Sequence, residues 1–129
     1  MLTGLHHIGV FTPDVKKSEE FYNKIGFESY YRKVADSGSN IVFVRAGSCV
    51  LELIQPADPA RGTNKGEGQV AHIAIAVKDI EKTVKDLQAK GIVFDVEAPG
   101  HSPTFMANGM KNIFFNGPAG ERLELFEEL

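Results

Sequence analysis

His7-Ile8-Gly9-Val10 … Asp14-Val15 … Lys17-Ser18 … Gly26-Phe27 returns 65 positions later as His72-Ile73-Ala74-Ile75 … Asp79-Ile80 … Lys82-Thr83 … Gly91-Ile92. The two copies close alike, on Leu51-Glu52-Leu53 and Leu123-Glu124-Leu125, where the offset has grown to 72. An internal repeat governs the reading of everything around it. Each copy begins with an imidazole and ends with a carboxylate. Such groups at equivalent places of a duplicated unit suggest one four-ligand metal site, half from each copy.

Outward from these anchors the chain reads as two modules of strand, helix and three strands. In the first, Leu5 to Phe11 is an apolar strand that stops at Thr12-Pro13, and Asp14 is a helix N-cap. Val15, Ser18, Phe21, Tyr22 and Ile25 recur at helical spacing before Gly26 closes the helix. Phe27 to Ala35 is the second strand, and Ile41 to Val44 with Cys49 to Ile54 forms a hairpin around Ala46-Gly47-Ser48. The second module repeats this: strand Val70 to Val77, cap Asp79, a helix to Lys90, strand Ile92 to Glu97, then strands Lys111 to Phe115 and Arg122 to Phe126. The expected organisation is one domain over 1–129, with module 1 at 1–55, a Pro- and Gly-bearing linker at 56–69 and module 2 at 70–129. Ala98 to Met110 is the surplus of the second module, and a loop of that length is expected to wall or cover a site.

Composition narrows the classes. A chain of 129 residues, 43% apolar, can bury a real core. Its 14 basic and 17 acidic residues leave a net charge of −3 without long runs of one sign, which argues against nucleic acid or an anionic membrane as partner. Neither a secretory leader nor a membrane-length apolar stretch is read. The single Cys49 reads as a small core hydrophobe, and with no intrachain disulfide available the expected compartment is the cytoplasm.

Side chains alternate along a strand, so His7 shares a face with Gly9 and Phe11, and His72 with Ala74 and Ala76. Glu52 and Glu124 each stand between leucines that belong to the opposite, helix-covered face. Two neutral imidazoles and two carboxylates suit one divalent ion of the Ni, Zn, Co, Mn or Fe kind. His6 corresponds to Ala71 and is left out of the set. His101 in the long loop, and Arg45, Arg61, Lys111 and Arg122, could meet an anionic substrate or carry a proton, although most such groups on a small domain serve only its surface. Phe11, Phe105, Met106, Phe114 and Phe115 are candidates to line the site, or simply core. No GxSxG elbow, P-loop, GxGxxG or CxxC occurs, which leaves serine hydrolysis, nucleotide phosphates and thiol redox chemistry unsupported.

The ordered set Leu5-His6-His7-Ile8-Gly9-Val10, Asp14, Ser18-Glu19-Glu20-Phe21-Tyr22, Ile25-Gly26-Phe27, Leu51-Glu52-Leu53, Ala71-His72-Ile73-Ala74 and Asn116 to Leu125 resembles the vicinal oxygen chelate superfamily: glyoxalase I, bleomycin-resistance proteins and extradiol dioxygenases. The resemblance implies an α+β fold of two paired βαβββ modules, with curved, mostly antiparallel sheets enclosing a metal cavity and helices outside. It places His7, Glu52, His72 and Glu124 as the metal ligands. It implies a lyase or isomerase like lactoylglutathione lyase, which acts on a small α-hydroxycarbonyl or hemithioacetal through a metal-stabilised enediolate. Glu124 or Glu52 would be the general base, and Glu124, beside the longer loop, is favoured. A homodimer is expected, with the modules paired within one chain or across two.

Phe11 stands where glutathione-using glyoxalases carry a basic residue, which argues against glutathione as the thiol. The 20-position step from Glu52 to His72 is shorter than methylmalonyl-CoA epimerases tend to have. A Glu at 52 would crowd the oxygen site of an extradiol dioxygenase. The alternatives are a ligand-sequestering protein of the bleomycin-resistance type, or another reaction of the superfamily such as epimerisation or ring cleavage.

Overall fold

The computed structural model describes residues 1–24, 26–60, 69–116 and 122–129. Its strands and helices, in chain order, are β1 (Leu2–Phe11), α1 (Val15–Lys24), β2 (Glu28–Val34), β3 (Asn40–Ala46), β4 (Cys49–Gln55), β5 (Gln69–Val77), α2 (Ile80–Ala89), β6 (Gly100–Ser102), β7 (Met110–Asn116) and β8 (Arg122–Glu128). They gather into two compact units, His7–Ala71 and a second made of His72–Leu129 with Met1–His6. The division falls inside β1 and inside β5. Of the expected features, Ile25, Arg61, most of the linker and residues 117–121 of the final turn lie outside the described residues.

In the first unit the strands lie in the order β2-β3-β4-β1. β2–β3 and β3–β4 are antiparallel, and β4–β1 is parallel, with Gly9 opposite Glu52. Leu51 and Leu53 meet Val42, Val44, Ile8 and Val10 under Val15 and Tyr22 of α1, so the leucines flanking Glu52 are the helix-covered ones. In the second unit the order is β5-β8-β7-β6, with β5–β8 parallel and Ala74 opposite Glu124. Its core joins Val77, Ile80, Val84, Phe94, Ile113, Phe115 and Leu125.

The repeat extends to individual hydrogen bonds. Asp14 Oδ1 accepts from the Lys17 amide at 3.1 Å, and Asp79 Oδ1 from the Lys82 amide at 3.3 Å, each capping the third amide of its helix. The side chain of Gln55 accepts from the Val15 amide at 2.9 Å; Glu127, its counterpart at the end of β8, accepts from the Asp79 amide at 2.7 Å. Both helices close with a five-residue return bond, Phe27 to the Tyr22 carbonyl and Ile92 to the Leu87 carbonyl, past Gly26 at φ 115° and Gly91 at φ 90°.

Two expectations are corrected. Ile92 to Glu97 is not a strand: it touches β7 only through a bridge from Phe94 to Phe115 and the Asp95 amide on the Phe114 carbonyl. The far end of the β7 edge is occupied instead by β6, and Val93 is 83% exposed, so nothing draws the segment along the edge. The surplus loop therefore contains a strand, and Phe105 and Met106 within it are buried. Cys49 is not core either; it begins β4 immediately after the hairpin turn and is exposed. No described helix is long and apolar enough to cross a membrane.

Candidate metal centre

In a parallel pair, partners in register project to the same side of the sheet, and so do residues two apart on one strand. Gly9 opposite Glu52 therefore puts His7 on the Glu52 face. His7 Nε2 lies 3.3 Å from Glu52 Oε1, with His7 1% and Glu52 6% exposed. Phe43, opposite Glu52 on β3, sets its ring edge-on to the imidazole at 5.2 Å between centroids. The second unit reproduces this with Ala74 opposite Glu124. His72 Nε2 lies 3.2 Å from Glu124 Oε1, with the residues 9% and 3% exposed. Phe114, opposite Glu124 on β7, stands perpendicular to His72 at 5.6 Å.

These pairs fit metal ligation. Two donors each about 2.1 Å from one ion, at angles between octahedral and tetrahedral, stand roughly 3.0–3.4 Å apart. Both observed separations fall in that window and exceed the roughly 2.7–2.9 Å of a charge-assisted hydrogen bond. Burying a carboxylate is costly unless a partner compensates it, and the structure does so twice in the same way.

Of the remaining sequence candidates, Arg45 and Arg122 share the faces of Glu52 and Glu124 but are turned to other partners, and the others lie off these pairs. His6 lies against Phe126 with the rings tilted, 4.2 Å between centroids, and bonds Glu128 at 2.9 Å. His101 pairs in register with Lys111, on the face of β7 opposite Phe114, and is exposed; it does not share the Glu124 face. Lys111 is bound to Glu81 of α2 at 2.6 Å. Arg122 lies over the Phe114 ring at 4.9 Å and is gripped by Asp95, whose carboxyl it holds below its ordinary range. Arg45 lies over Tyr30. Phe115 belongs to the core rather than the His72 face.

Two side chains at the pairs were not legible from spacing. Phe43 shows itself only once β3 is set in register with β4. Asn112 is the other: its Nδ2 donates to Glu124 Oε2 at 2.8 Å. A further polar group, Glu19, is buried away from these pairs and receives both guanidinium nitrogens of Arg32 and the Ser29 hydroxyl. The arginine holds its carboxyl below the usual range.

The comparisons agree with this arrangement of strands. Residues 6–114 match the model of the Glyoxalase/Bleomycin resistance protein/Dioxygenase superfamily, and the chain belongs to that superfamily, with its α+β fold. The uncharacterized protein YwkD of Bacillus subtilis (strain 168) is 32% identical over 99% of both chains. The mitochondrial methylmalonyl-CoA epimerase of Homo sapiens is 34% identical over 68% of this chain, which spans about half (54%) of that protein's length. Among solved structures, a Streptomyces coelicolor methylmalonyl-CoA epimerase variant in complex with 2-nitronate-propionyl-CoA superposes with TM-score 0.81 at 25% identity, covering 99% of this chain and 96% of the other.

Proposed function

We propose that His7, Glu52, His72 and Glu124 together hold one divalent ion of the Ni, Zn, Co, Mn or Fe group, and that the protein is a glyoxalase I-like lyase or isomerase. Its substrate is a small α-hydroxycarbonyl or hemithioacetal, and a homodimer is the expected assembly. The observation that carries the reading is the buried His–Glu pair, made twice with the same geometry. When bound, such an ion polarises neighbouring substrate oxygens and acidifies the adjacent C–H.

The chain's own residues do the rest. The imidazoles stay neutral to ligate, and the edge-on phenyl rings of Phe43 and Phe114 fix their planes. Glu124 or Glu52 takes the proton from the activated carbon and returns it to the neighbouring one. Positioned general-base assistance of this kind is worth roughly 10²–10⁴-fold.

A second reading, epimerisation of a 2-substituted acyl thioester, is favoured by the likeness to methylmalonyl-CoA epimerases. It shares the first half of the chemistry and differs in returning the proton to the same carbon. The test is incubation in D₂O with hemithioacetals of several thiols and with 2-methylmalonyl thioesters, following deuterium entry at carbon. Protein purified without chelator should carry near-stoichiometric metal and exchange one of these classes. Glu124→Gln or Glu52→Gln should keep some metal yet lose exchange. Persistently metal-free protein that binds ligands without exchange would overturn the enzyme reading in favour of a sequestering protein.

A further inference from the structure

We propose that Asn112 is a positioning residue that orients the Glu124 carboxylate for metal binding, fixing Oε1 as the ligating oxygen by holding Oε2. The inference rests on the four-ligand reading above. Glu124 turns its two oxygens to different partners: Oε1 stands 3.2 Å from His72 Nε2, and Oε2 accepts from the Asn112 amide at 2.8 Å. An ionised carboxylate only accepts hydrogen bonds, so the Asn112 side chain must present its NH₂ group to it. Register places the amide there by construction, because Phe114 is opposite Glu124 on β8, and Asn112, two residues earlier, projects from the same face. On the other side of Asn112 lies Gly100 of β6, where even a Cβ would meet the amide oxygen only at 3.5 Å. The amide oxygen thus faces β6 while the NH₂ group faces Glu124.

Repetition shows that this contact is not part of the duplicated frame. Phe43 opposite Glu52 corresponds to Phe114 opposite Glu124, so the counterpart of Asn112 is Ile41, a buried hydrocarbon with no donor. Helix caps, helix closures, His–Glu pairs and edge-on phenyl rings all recur; the amide occurs in one half. A group that merely stabilised the module would be expected in both. The amide instead distinguishes the surroundings of the Glu124 carboxylate from those of Glu52, where register puts Ile41 in its place. Outer partners that orient a metal ligand typically change metal affinity about 10–100-fold when removed.

The experiment titrates Co²⁺ into metal-stripped protein and follows its visible bands, so the readout is coordination and not turnover. Asn112→Leu keeps the branched outline without the amide, though it is bulkier, and Asn112→Ala relieves any crowding; melting of the metal-free proteins reports folding independently. Both variants should bind Co²⁺ about 10–100-fold more weakly with altered bands, because the released carboxylate changes its mode of ligation. Ile41→Leu, the equivalent change in the other half, should leave affinity and bands as in wild type. If either folded Asn112 variant binds Co²⁺ with wild-type affinity and bands, while His72→Ala does not, Asn112 has no positioning role and the ligand set stands. If wild type itself takes up no Co²⁺, both readings fall together.

Discussion

Metal-linked stability is the sharpest consequence of the proposed four-ligand site. A ligand that binds only the folded chain at 100 times its dissociation constant adds about 2.7 kcal/mol. At roughly 2.1 cal/mol/K per residue, unfolding 129 residues has an entropy near 0.27 kcal/mol/K, so that increment raises Tm by about 10 °C. Differential scanning fluorimetry with and without Ni²⁺ or Co²⁺ reads it directly. His72→Ala removes a proposed ligand and also the Phe114 edge contact, so its metal-free form should melt lower and its metal increment should vanish. His6→Ala is the stringent control. It loses the ring contact with Phe126 and the bond to half-exposed Glu128, about 1 kcal/mol of baseline stability, but should retain the full increment. An increment that survives in His72→Ala, or disappears equally in His6→Ala, refutes the assignment.

Two further outcomes test the frame. The Arg32 guanidinium keeps the Glu19 carboxyl lowered in the fold, so this pair contributes stability above the carboxyl's unfolded value, and that contribution is lost as pH falls through the folded one. Glu19→Gln should thus cost roughly 1 kcal/mol at pH 7, discounted because Arg32 is largely exposed, and the gap to wild type in urea unfolding should close as pH falls from the carboxyl's unfolded value through its lowered folded one; a gap independent of pH contradicts the pairing. Leu53→Ala, fully buried under α1, should lose about 2–5 kcal/mol, whereas Val93→Ala should stay within about 0.5 kcal/mol. Equal losses would mean that residues 92–97 pack as a strand after all.

The recurrent local rules were the legible part. Asp14 and Asp79, and Gly26 and Gly91, act through bonds to near neighbours in sequence, and the leucines around Glu52 and Glu124 follow the alternation of their own strands, so spacing reveals them all. What escaped depends on competition between segments. Ile92 to Glu97 has strand-like residues, yet the edge it would need is partly filled by Gly100–Ser102, and no local pattern announces that. Cys49 sits one residue past a turn, where a strand-forming residue need not be covered. Phe43 and Asn112 acquire their roles only from cross-strand register, which the sequence states nowhere. For the pairs themselves, both His–Glu contacts follow the faces that alternation assigns, because register at Gly9 and Ala74 preserves them.

The contrast between Ile41 and Asn112 has an evolutionary meaning. A protein assembled from two identical single-module subunits must mutate both halves at once: any amide gained beside one carboxylate appears beside the other. Once the module is duplicated in tandem, that symmetry is broken at the level of the gene, and Gly9 against Ala74, Gln55 against Glu127 and Ile41 against Asn112 are separate loci open to separate selection. Tandem fusion thus turns a pair of equal carboxylates into two that can drift toward different duties while the strands that carry them stay the same.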